Sequence, residues 1–271
     1  MNSFPWQEVP SSAAAPDIGC TDVPSGQLAT LVVNRPGVEF RYRITPADLL
    51  WTARMIQGEA GGRKDADNYA VVWTMLNRFA LLTNRNRLRT GWRNFSHFIR
   101  AYSTPLQAVL SYGSAVHHFD KPGYVAVGGT YKENPSVKRG QLARHLKLQK
   151  TCWSALTLGA RGAASAVLTG RAPNPIGLAT EFANTATYFR RKYKRNPSID
   201  EWRAFNRRFG ESKKFSNGRQ TVDRGGWQWI GDRPNLSQYS VNAFFARTRT
   251  VPGDPTSIPI AQLPADTVRL V

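Results

Sequence analysis

The stretch from Leu49 to Phe79, LLWTARMIQGEAGGRKDADNYAVVWTMLNRF, constrains the fold more than any other part of this chain. Apolar residues recur at helical spacing on both sides of the Gly61-Gly62 pair, so two buried helices must meet across a short polar turn. The first helix has a start signal in Thr45 as N-cap, Pro46 at the first helical position and Asp48 in the first turn. Leu49, Ala53, Ile56 and Ala60 form its apolar stripe, and the second helix is expected from about Asn68 to Leu82.

Glu59 stands in the last turn of the first helix, at the margin of the stripe, roughly 80° from its centre on the side of Thr52 and Met55. An acid at the negative end of a helix dipole is poorly placed for stability. Partial burial and the dipole both disfavour its charged form, so the expectation is a raised pKa suited to a general acid. A solvated glutamate on a helix shoulder satisfies the same pattern.

The wording around Glu59 resembles the SleB-like family of cell-wall hydrolases, through Gly58-Glu59-Ala60, Gly61-Gly62 and Leu76-Asn77-Arg78. Later segments are similar to that family in the same order. They are Tyr102-Ser103-Thr104-Pro105, Ala166-Val167-Leu168-Thr169-Gly170, Pro173-Asn174-Pro175 and Ala179-Thr180-Glu181-Phe182. The resemblance spans about residues 46–247. It implies a lysozyme-like, mostly helical core; with the small β element and the extended N- and C-terminal arms that the residues themselves suggest, the expected fold is mainly α (α+β). It also implies cleavage of peptidoglycan glycan strands with Glu59 as the catalytic acid/base. Where the family usually has His, this chain has Glu181, either a second carboxylate at the cleft or a tolerated replacement.

Two mechanisms follow. Hydrolysis uses two carboxylates roughly 5–10 Å apart, with Glu181 as the candidate second acid. Lytic transglycosylation needs one acid/base and lets the substrate's own 6-hydroxyl close onto the anomeric carbon; the resemblance favours this route. Tyr102, Ser103 and Thr180 are expected to hold the glycan. Pro105 forces the residue before it out of helical geometry, so hydroxyls are presented from a non-helical backbone. Trp227 and Trp229, at strand spacing, point to one face and can stack on sugar rings, although two core tryptophans would show the same spacing.

A net charge of +19 predicts an anionic partner. Peptidoglycan and an anionic envelope surface lead, with nucleic acid behind them because no base-reading signature is present. The rival class is a structural or nucleic-acid-binding particle component that retains an inactive enzyme-like core. With 41% hydrophobic residues the chain can bury a real core. Cys20 and Cys152 stand far apart and are expected as free thiols. Adjacent His117-His118 do not make a ligand set, so no metal or cofactor is expected.

The domain reading is residues 1–44 as an arm with short strands around Arg35-Pro36-Gly37, then 45–247 as the catalytic domain. A basic insertion at 190–219 lies within it, and 248–271 form a Pro-rich arm. Within the domain, a helix over Asn94–Tyr102, a long one over Ala143–Leu168 with a weak point at Gly159 and Gly162, and one opened by Pro197-Ser198 are expected. The first residues lack a basic n-region followed by an apolar run, so the expectation is no secretory leader. A wall-cleaving enzyme of that kind would sit in a virion or tail particle, or in the host cytoplasm before release, and act in the periplasm or wall. Its arms would bind other tail or baseplate proteins.

Overall fold

Strands β1 (Thr30–Arg35) and β2 (Val38–Arg43) pair as an antiparallel hairpin in the register Arg35↔Val38 to Thr30↔Arg43, around a two-residue connection. A computed structural model describes residues 20–36, 38–60, 67–81, 94–103, 105–106, 144–145, 147–212, 226–231, 242–249 and 258–271. The calls on Gly61-Gly62, Thr104, His117-His118 and residues 1–19 fall outside them. The architecture is a helix-dominated mixture of α and β. Its helices are α1 (Pro46–Ala60), α2 (Asp67–Leu81), α3 (Phe95–Tyr102), α4 (Leu158–Leu168), α5 (Thr185–Tyr193) and α6 (Ile199–Ser212).

Helix α1 is the centre of the main core. Burial runs through every position from Asp48 to Ile56, wider than the single stripe its spacing suggested. The cause is that α1 packs against α2, α3 and α4 together. The Thr45 start signal is realised as a reciprocal box. Thr45 N and Oγ1 both donate to Asp48 Oδ2 at 2.9 Å, and Asp48 N donates to Thr45 Oγ1 at 3.3 Å.

Asp48 also joins three elements. It accepts from Tyr42 Oη of β2 at 2.8 Å and, through Oδ1, from Ser96 N at the start of α3 at 2.7 Å. Burial pushes its carboxyl up despite these donors. A raised folded pKa means Asp48 contributes most below its unfolded value and less as pH rises through the folded one. Asp48→Ala strands the donors and is expected to cost about 3 kcal/mol in urea melts. The gap to wild type should widen as pH falls from 7 toward 4; a gap that narrows would refute this role.

A second sheet, ordered β3-β5-β4, is antiparallel and formed by β3 (Glu181–Ala183), β4 (Trp227–Trp229) and β5 (Ala243–Arg247). The segment set apart as a basic insertion supplies α6, which covers this sheet with Trp202 buried and Phe209 against Phe245. Ser198 and Glu201 box the start of α6, and the hydrogen bond from Arg195 holds the Glu201 carboxyl down to about 2. Gly210 has to be glycine: a Cβ there would lie 2.6 Å from Trp227 O. Among the described residues no helix is long and apolar enough to cross a membrane.

Three expectations are corrected. Cys20 and Cys152 are not free thiols but a disulfide spanning 132 residues. Asp22 adds a second tie, accepting from Trp153 N at 3.1 Å and Ser154 N at 2.7 Å. The long helix over 143–168 is broken: Trp153–Ala155 is a 3-10 turn, and α4 restarts at Leu158 with Thr157 as its N-cap. Gly162 sits inside α4 and does not bend it out of helical geometry. The C-terminal arm is not extended, because residues 258–271 return to the core. Ile260 and Leu263 are buried, and β6 (Val268–Leu270) pairs antiparallel with β1 to give the order β2-β1-β6.

Candidate active site

The buried run of α1 ends at Ile56, and Glu59 in the last turn is exposed, so the expected partial burial is not found. Ser103, buried immediately after α3, donates from Oγ to Glu59 Oε1 at 2.9 Å. Ser103 thus orients the carboxylate rather than presenting a free hydroxyl to a glycan. The backbone of Tyr102 ends α3; its side chain lies outside the described set.

Two features bring Ser103 to Glu59. Helix α3 packs on α1 through Trp51, whose ring carries the Arg54 and Arg100 guanidinium carbons at 4.4 Å each. Burial, and then the neighbouring Arg54 charge, push Arg100 down to about 10, so it remains a cation at neutral pH. The second feature is a close approach at Gly58. A Cβ there would stand 2.7 Å from Pro105 Cβ and 2.9 Å from Leu148 Cδ2. Gln149 Nε2 secures the same turn by donating to Pro105 O at 2.7 Å.

Gly58→Ala is accordingly expected to push the Pro105 turn off α1. The gain in helix propensity, about 1 kcal/mol, offsets only part of an overpacking cost of about 1–3 kcal/mol. Activity should fall more than stability, because the Ser103–Glu59 bond stretches first. Paired turnover and urea-melt measurements check this, and an Ala variant with wild-type turnover would refute it.

The other predicted residues group around the C-terminal end of α2. Asn77 Nδ2 donates to both Gly177 O and Ala179 O at 2.8 Å, and Trp73 Nε1 reaches Ala172 O at 3.3 Å. Asn174 closes the intervening turn through Ile176 N and Gly177 O. The Leu76-Asn77-Arg78 and Pro173-to-Glu181 segments are therefore one construction. Arg78 binds Glu181 through both carboxylate oxygens, at 3.0 and 3.4 Å. Glu181 is an ion-pair partner of Arg78 rather than a solitary second acid. Thr180 is fully buried and its Oγ1 has no hydrogen-bond partner, so it does not face a glycan.

Trp227 and Trp229 do share one face, as their spacing predicts, but that face meets α6. Trp227 is buried, and Trp229 is half-buried with Trp202 edge-on at 5.8 Å. They belong to a cavity between β4 and α6 and are not part of the Glu59–Ser103 pair. Sequence reasoning missed Gly58 as a steric requirement, Arg78 as the Glu181 partner, and Arg203 and Arg207 beside the tryptophans. Only Gly58 and Arg78 carried a signal, by lying inside the quoted motifs.

Comparison with family models, curated proteins and solved structures finds no match for this chain.

Proposed function

We propose that this protein cleaves the glycan strand of peptidoglycan at the MurNAc–GlcNAc bond on a lysozyme-like helical core. Glu59 is its single acid/base, and the protein is a phage virion-associated or endolysin-type lysin. The observation that carries this reading is the meeting of two segments that lie 44 residues apart in the chain. Glu59 from the GEA stretch and Ser103 from the YSTP stretch share a 2.9 Å hydrogen bond, and Glu59 is an exposed residue.

In the reaction, protonated Glu59 gives its proton to the leaving glycosidic oxygen as the bond to the anomeric carbon breaks. The muramyl 6-hydroxyl then attacks that carbon and returns its proton to Glu59, leaving a 1,6-anhydro end. Ser103 keeps one carboxylate oxygen in place. The pairing of Glu181 with Arg78 supports this one-carboxylate route over hydrolysis.

Mass spectrometry of muropeptides from treated peptidoglycan tests the reading. Anhydro-muramyl products are expected. Reducing-end products would replace the mechanism with hydrolysis. No product from folded protein would favour a structural or nucleic-acid-binding role, which the net charge of +19 also suits.

A further inference from the structure

The cavity between α6 and β4 has about 1010 Å³ of space and is lined by Arg203, Arg207, Trp227 and Trp229, with Asp200 and Gly226 at its margin. We infer that it is a second binding site, separate from Glu59, for a sugar chain that carries acidic groups. The inference rests on the glycan-cleaving reading for the identity of the polymer.

The walls divide by chemistry. On β4 the half-buried Trp229 offers the flat apolar surface that sugar C–H faces need, and its orientation is fixed in advance, while Trp227 is buried. Trp202 meets Trp229 edge-on at 90°, Arg207 lies 5.8 Å from the Trp229 centroid, and Arg247 lies 5.7 Å from that of Trp227. Such rings lose little entropy on binding. On α6, Arg203 and Arg207 are four residues apart and so stand one turn apart, about 6 Å along the axis. That suits two acidic substituents on neighbouring sugars, each met by a planar guanidinium fork. The close contact of Gly210 on Trp227 O holds the helix against the strand, so the two walls are rigidly spaced.

Asp200, which also lines the cavity, pairs with Arg203 at 3.2 Å.

The test uses the full chain in a Glu59→Gln background, so that nothing is turned over. Binding is followed by calorimetry and indole fluorescence with three probes: a GlcNAc–MurNAc disaccharide carrying its stem peptide, a neutral chitin tetrasaccharide and a glycerol-phosphate polymer. The acidic disaccharide should bind; preference for the glycerol-phosphate polymer, which has no sugar ring, would overturn the inference. Arg203→Gln with Arg207→Gln should weaken that binding at least tenfold without lowering the melting temperature, whereas Trp229→Ala also risks the α6 packing. Equal binding of the neutral sugar, or binding unchanged by the double arginine change, would overturn the inference. So would capture of a single-stranded oligonucleotide in preference to every saccharide. Arginine-dependent saccharide binding by a protein that yields no muropeptides would leave this site standing and remove the catalytic reading.

Discussion

Glu59→Gln is expected to lower peptidoglycan cleavage by about a hundredfold to ten-thousandfold, the usual contribution of one general acid. The isosteric amide still accepts the Ser103 hydroxyl through its own oxygen, so the local geometry survives while the transferable proton is lost. Because the side chain is exposed, stability should move by no more than about 0.5 kcal/mol. The diagnostic pattern is a folded protein with an unchanged melting temperature and no product. If the Gln variant cleaves at wild-type rate, Glu59 is the solvated helix-shoulder residue that its spacing alone also allows, and another acid must be sought.

The second large effect concerns the Cys20–Cys152 bridge. Joining positions 132 residues apart restricts the unfolded chain by about 5 kcal/mol in the chain-entropy description. Cys20→Ser or Cys152→Ser should therefore lower the melting temperature by about 10–20 °C, and a reductant should do the same to wild type. A melting point within two degrees of wild type would show that the Asp22 contacts to Trp153 and Ser154 hold this junction unaided. The bridge bears on the candidate site because Arg54, on the same helix as Glu59, donates from Nη2 toward Cys20 Sγ at 3.5 Å and from Nε to Thr151 O at 2.9 Å. Bridges of this kind persist in oxidising surroundings.

What could be read from the sequence was local. Thr45-Pro46-Asp48 specified the start of α1 because every group in the cap lies within three residues. Pro36-Gly37 between alternating strands specified a hairpin, and Ser198 with Glu201 specified the opening of α6. The paired spacing of Trp227 and Trp229 gave their common face, but not whether sugar or α6 would cover it. Contacts between remote segments were not legible. Nothing near Gly58 announces Pro105, and nothing near Glu181 announces Arg78, since each fit depends on helices meeting in space. The prolines of 252–264 imitate a linker, yet Ile260 and Val268 find buried positions that only the assembled core provides. Cysteine spacing alone is silent on pairing for the same reason.

The β1–β6 pairing sets the pace at which this molecule can be built. Val33 meets Val268 across 235 positions of chain, and closing so large a loop is slow because its entropy must be lost before any strand hydrogen bond is gained. The disulfide offers a shorter route. Measured from Val33 back to Cys20, across the bridge and on from Cys152 to Val268, the contour is roughly 130 residues, which lowers the closure cost by about 0.5 kcal/mol. Oxidised chains should therefore complete the outer sheet in fewer failed encounters than reduced ones, and spend less time with the bare edge of β1 open to other molecules.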